Sequence, residues 1–224
     1  MTSHLPLLVW LSPSFPVGAF AYSHGLEWAH EAGDVTDPAS LRAWLEDLLA
    51  HGAAHNDAVL FVESYRAAEG GDPERLCSVA ELALALATSP ERLLETSTQG
   101  DAFVQTVAKA WPCDAIETFR RAWTGPAAYP VAVGVAALGH RVRLADALPA
   151  FLLGGVTNLV SAAVRLGVVG QTDGQRVVAS MVPAVLALAE FAETSTPDDL
   201  GAAAFRSDLA ALRHETQYAR LFRS

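Results

Sequence analysis

Residues 147–164 form an eighteen-residue run without a formal charge, and this run limits the folds open to the chain. Its length reaches the lower edge of a membrane span, but Pro149, Gly154, Gly155, Thr157, Asn158 and Ser161 make it poorly lipophilic and no positive cluster flanks it. It reads as a helix over 146–165 buried on most sides in protein, so other helices or a subunit interface must cover it.

The rest of the chain supplies that cover as further helices. Helix starts are signalled where an N-cap residue precedes proline, because proline at the first helical position lacks only a donor that would be unpaired anyway. This occurs at Asp37-Pro38, Asp72-Pro73, Ser89-Pro90 and Thr196-Pro197. After the first, Leu41, Trp44, Leu45, Leu48 and Leu49 share one helical face, which predicts a helix over 38–50. Further helices are expected over 57–68, 73–87, 90–110, 114–123, 130–138 and 173–193, with Gly70-Gly71 as a breaker and Pro183 kinking the last. Val168-Val169 is too short to seed a sheet, and β-alternation of useful length is absent. The expectation is an all-α, single-domain bundle of roughly eight to ten helices over 1–224, without repeats or a linker.

Composition narrows the function. With 51% hydrophobic residues the chain is no disordered tail protein, and a net charge of -10 repels nucleic-acid backbones and anionic membranes alike. Residues 1–10 have no basic leader, and Cys77 and Cys113 lie too far apart for a CxxC site, so a reduced, cytoplasmic protein is expected. The only lysine, Lys109, has no neighbouring ionisable group to activate it for Schiff-base chemistry, and it is followed by alanine, so no P-loop exists. No nucleotide cofactor is expected.

Several polar groupings remain as candidates. His51 and His55 stand four apart with Asp57 close by, but no glutamate lies between them as zinc-hydrolase helices require, and no metal site is assigned. His24, Glu27 and His30, near Tyr22, suit a polar cluster for partner contact or a solvated helix face. His214-Glu215 with Tyr218 offers an acid/base pair without a nucleophile or oxyanion hole, so no catalytic residue is assigned. If 205–222 is helical, Phe205, Leu209, Leu212, Ala219 and Phe222 form a narrow seam beside Arg213, Gln217 and Arg220, suited to docking or to packing on the chain's own core. Thr172 and Gln175 have capping-box spacing, and Gly167 and Gly170 permit a tight loop presenting Arg165 and Gln171.

Three blocks taken together resemble the urease accessory protein UreF family: LSPSFPVGAFAYSHGLE at 11–27, NLVSAAVRLGVVGQTDGQ at 158–175, and RHETQYARLFRS at 213–224. The resemblance implies a non-enzymatic, all-helical, homodimeric assembly factor for nickel loading of urease. It implies binding to a UreD/UreH-type accessory protein that contacts apo-urease, recruitment of the GTPase UreG, and a carboxyl-terminal segment, 205–224, that binds the partner. Carried over by position, the partner-binding residues are Arg165, Gln171, Asp173 and Gln175 in the second block. In the third they are Arg213, His214, Glu215, Tyr218, Arg220, Leu221 and Phe222. Phe20, Tyr22, His24 and Glu27 of the first block join the functional surface without individual roles. Arg220 is expected near Arg165, with loop carbonyls or Asp173 offsetting their repulsion. The stretch at 91–100, with one arginine, is less basic than the family pattern. The alternative class is a helical metallohydrolase built on His51, His55 and Asp57 or on His214-Glu215, and a small-ligand pocket has no signal.

Overall fold

The computed structural model describes residues 4–201 and 203–224; the first three residues of the amino-terminal run lie outside them. Among the described residues are eleven α-helices, two 3-10 turns and no strand. The helices are α1 (Leu5–Trp10), α2 (Leu26–Glu31), α3 (Pro38–His51), α4 (Ala53–Glu69), α5 (Pro73–Ala85), α6 (Pro90–Ala110), α7 (Asp114–Ala122), α8 (Tyr129–Gly139), α9 (Leu144–Leu166), α10 (Gln171–Ala192) and α11 (Phe205–His214). The all-α bundle read from the sequence is therefore the observed architecture, with the six-residue α1 and α2 added.

Local chemistry sets most boundaries. The Asp37 side chain accepts from the Ser40 amide at 2.8 Å and the Ser40 hydroxyl reaches back to the Asp37 amide at 3.1 Å, so α3 starts on a reciprocal capping box. Asp72 and Ser89 cap α5 and α6 from the Arg75 and Arg92 amides. Extended Gly52 separates α3 from α4, which places His51 and His55 on different helices rather than on one face. The Thr196-Pro197 signal opens a 3-10 turn (Pro197–Asp199) instead of an α-helix.

Two further expectations fail, the first for a local reason and the second for a tertiary one. The capping box of Thr172 and Gln175 does not form: extended Gly170 is the N-cap, so α10 starts at Gln171 and both side chains fall within its first turns, exposed. Helix α11 ends at His214 instead of running to 222: Thr216 and Gln217 still bond back to Arg213 and His214, but the Leu221 and Phe222 amides donate to Glu27 rather than to a preceding turn.

Helix α4 crosses the middle of the molecule and packs most extensively on α8. Gly134 makes that approach possible, since a Cβ there would stand 2.6 Å from the Phe61 carbonyl oxygen. Helix α8 is the element buried nearly all round, from Pro130 to Ala137. The charge-free α9 instead buries one face, including Leu148, Phe151, Leu152 and Leu159, and leaves Gly155, Thr157 and Ser161 exposed. It is thus a core-facing amphipathic helix rather than one covered on most sides, and it pairs with α10. Helices α9 and α10 are each long and apolar enough to cross a membrane, and the buried face of α9 accounts for its apolar residues. Phe61, with no exposed surface, illustrates the core's weight: truncating such a ring costs about 3–5 kcal/mol.

Candidate functional site

The three sequence blocks converge where α2, α6, α9 and α11 meet. His24 and Gly25 both adopt left-handed backbone, φ 55 and 76, which turns the chain into α2. Gly25 also faces α11 so closely that a Cβ would lie 2.6 Å from the Ala211 amide nitrogen. That contact sets α2 beneath α11 and places Glu27 under the segment 215–224.

Glu27 is buried, and its carboxylate receives three donors. The Leu221 amide donates to Oε1 at 2.6 Å; the Phe222 amide donates to Oε2 at 2.9 Å, and His214 Nε2 lies 3.1 Å from the same oxygen. His214 is fully buried and its Nδ1 is 2.7 Å from Glu91 Oε2, so only the doubly protonated ring donates to both carboxylates. Arg220 Nη1 completes the group by donating to Glu91 Oε1 at 2.8 Å. The segment's end is fixed by backbone bonds: Arg223 N to Ala21 O at 2.7 Å and Ser23 N to Ser224 O at 2.8 Å.

A second buried carboxylate, Glu95, lies one helical turn from Glu91. It pairs with Arg92 and with His24 Nε2, both at 2.6 Å, and accepts from Gln99 at 3.0 Å and from the Ser224 hydroxyl at 2.9 Å. Burial works against its charge, but Arg92, His24 and Ser224 outweigh burial and hold the carboxyl down at about 2. Burial, reinforced by Arg92, pulls the His24 imidazole below its ordinary value although Glu95 opposes this.

Arg165 is exposed and joins the blocks from α9. It donates to the Phe20 carbonyl and lies 4.1 Å from the Phe222 ring centroid, a cation–π contact. Asn158 donates to the Ala19 carbonyl at 3.1 Å. The two arginines therefore have separate partners, Glu91 for Arg220 and a first-block carbonyl for Arg165. Asp173 does not hold either: it pairs with Arg176 at 2.6 Å. No hydrogen bond or ion pair among the described residues joins Gln171, Asp173 or Gln175 to the carboxyl-terminal segment.

The predicted residues thus divide. Arg165, His214, Arg220, Phe222 and Glu27 meet in the clasp, with His24 beside them, while Tyr22 is buried and Phe20 exposes its ring. Tyr218 is fully exposed, Leu221 is 62% exposed, and Phe205, Leu209 and Leu212 present the outer face of α11 to solvent. The seam expected for 205–222 is absent as one stripe: Phe222 turns inward and the other large residues outward. The His24, Glu27, His30 group is not a solvated face, since Glu27 is committed to the clasp and His30 Nδ1 lies 2.9 Å from the Val35 carbonyl.

Sequence reading missed Glu91, Arg92, Glu95 and Gln99 as the floor of the clasp. Their signal was present: 91, 95, 99, 103 and 107 form one stripe at four-residue spacing, polar for the first three and apolar at Phe103 and Val107. A polar run on a core-facing stripe needs partners, and the clasp supplies them.

The hydroxyl that the clasp sets on a carboxylate, Ser224 on Glu95, is fully buried, and Glu95 is already committed to Arg92 and His24. His214 is saturated by two carboxylates and Tyr218 points to solvent. His55 Nε2 is 3.3 Å from the Asp199 carbonyl and its ring lies 5.1 Å from that of Phe191. Among the described residues no group of three histidine, cysteine or acidic side chains is placed to hold a metal ion. What the geometry does is fix a short irregular segment on the body and leave apolar side chains and Arg220 at its surface.

Comparison with known proteins agrees with the three blocks. The UreF family model matches residues 35–182. The urease accessory protein UreF of Rhodopseudomonas palustris strain HaA2 is 56% identical, over 97% of this chain and 92% of its own length. That of Xanthobacter autotrophicus is 56% identical over 99% of this chain and 91% of its own, and that of Methylobacterium sp. strain 4-46 is 54% identical over 98% and 88%.

Proposed function

The chain belongs to the UreF family of urease accessory proteins, and from that premise we propose that it acts as an adaptor in urease maturation, without chemistry of its own. Its surface binds a UreD/UreH-type accessory protein that contacts apo-urease, and the pair recruits the GTPase UreG for nickel insertion. A cytoplasmic homodimer is the working form in this reading, and nickel is cargo rather than a resident cofactor.

The observation that supports it most is the clasped segment's outer side. Tyr218, Leu221 and the α11 residues Phe205, Leu209 and Leu212 are large, apolar and exposed, and Arg220 lies among them 40% exposed. Exposed apolar clusters with aromatic and arginine anchors are typical of protein interfaces. Arg165, Arg213, His214, Glu215 and Phe222 belong to the same assembly, some as surface and some as support. Gln171, Asp173 and Gln175 stand apart on α10 and serve in this proposal as a flanking contact.

The test is Arg220→Ala in pull-downs with the partner and the GTPase. The substitution weakens GTPase recruitment while the fold stays intact, because Glu91 retains His214. A fall in thermal stability comparable to that of a core truncation, with recruitment unchanged for the folded fraction, contradicts the proposal.

A further inference from the structure

Directly behind the clasp lies a cavity of about 220 Å³. Its walls are apolar and come from three places: Phe15 and Val17 before α2, Leu45 and Leu48 of α3, and Phe151 and Leu152 of α9. Exposed Pro13, Phe20 and Thr157 stand at its rim, and a side chain built at Gly155 would meet no atom within 4 Å, so the mouth is open. A dry engineered cavity of about 150 Å³ already admits benzene. This one has room for a ring of that size and a polar head.

The polar end decides which head. Asp57 lines the cavity and, among the described residues, has no hydrogen-bond or ion-pair partner. The neighbouring charges are committed to each other: Arg92 to Glu95, and Glu95 to His24, Gln99 and Ser224 as well. Asp57 therefore shares the charge of Arg92 with Glu95, and the polar end carries two carboxylates against one guanidinium, a net negative charge that a further cation would offset. The Tyr129 hydroxyl also lines the cavity without a partner among the described residues and has lone pairs to offer. Tyr129 and Phe151, with ring centroids 5.6 Å apart, supply aromatic surface of the kind that favours organic cations.

We propose that this cavity is a binding site for a small organic monocation, a primary ammonium carrying a compact aryl or branched alkyl body, with its N–H groups on Asp57 and its apolar body against the walls from α3 and α9. None of the exposed residues at 205–221 lines the cavity, although Phe20 and His24 of the first block do, and the proposal does not rest on partner binding.

Benzylammonium and its neutral counterpart benzyl alcohol are suitable probes, titrated into the full chain by calorimetry, with intermolecular NOEs to the Leu48 and Leu152 methyls locating the bound ring. Benzylammonium binds the wild-type chain at least about tenfold more tightly than benzyl alcohol, a ratio typical of one charge-assisted contact. Asp57→Asn removes the preference. Equal binding of the two probes, or none, means that the cavity takes up water or apolar bodies indiscriminately and overturns the proposal. So does retention of the preference in Asp57→Asn, which would place the cation on the acidic exterior. Should the variant fail to fold, the preference and the NOEs in the wild-type chain still decide.

Discussion

Replacing Glu27 by glutamine tests the clasp without changing its shape. In the native chain Oε1 accepts from the Leu221 amide, and Oε2 from the Phe222 amide and His214. An amide in this place has one acceptor and one donor. Whichever way it is turned, its NH2 faces either the Leu221 N–H or both the Phe222 N–H and His214. Bonds to charged acceptors contribute about 1.5–3 kcal/mol each and neutral ones about 1 kcal/mol. Losing one bond and weakening the others should cost about 2–4 kcal/mol. The backbone of 215–224 can detach and rehydrate while the α4/α8 core stays folded, so the loss falls on local opening. At 1.36 kcal/mol per factor of ten, opening of 215–224 rises about 30-fold to 1,000-fold. Amide hydrogen exchange on the full chain reads this at Leu221, Phe222 and Arg223, with α4 and α8 amides as the internal reference. Unchanged exchange at 221–223 refutes the clasp, and equal acceleration in α4 and α8 shows that Glu27 supports the whole fold instead.

Three further outcomes follow from the same geometry. Glu95 is held at about 2 against an ordinary 4.5, so its contribution is complete above about pH 4.5 and is lost as pH falls toward 2; the difference in melting temperature between wild type and Glu95→Gln should be large at pH 7 and shrink toward pH 2. Asp57 is shifted the other way, with burial pushing it up to about 6 from 3.8; its contribution is complete below about pH 3.8 and lost as pH rises through 6, so Asp57→Asn should stabilise the chain at pH 7, by up to about 3 kcal/mol, and not at pH 3.5. Gly134→Ala should cost about 1–3 kcal/mol in urea unfolding, because the new methyl meets the Phe61 carbonyl, whereas Gly155→Ala, with nothing within 4 Å, should be neutral or stabilising by up to about 1 kcal/mol.

The parts of this molecule legible in the sequence are those set by neighbours in the chain. Asp37, Asp72 and Ser89 cap helices with their own side chains, and the α6 bounds follow directly from Ser89-Pro90 and Trp111-Pro112. Where a boundary depends on distant partners, periodicity misleads. Phe222 lies in helical register with Phe205 and Leu212, but Glu27, nearly two hundred residues away, takes its amide and stops the helix at His214. The same holds for the site. Arg165, His214 and Arg220 were identifiable from the blocks, whereas Glu91 and Glu95 acquire meaning only once the segment lies over them. The cavity had no sequence signal, since its walls come from residues far apart along the chain.

The most direct test of the adaptor account is size-exclusion chromatography with light scattering on the full chain and on a chain lacking 213–224, each mixed with the UreD/UreH-type partner. The account predicts a stable complex with the full chain and separate elution of the folded, shortened chain and the partner. A complex of unchanged mass and stability with the shortened chain contradicts it.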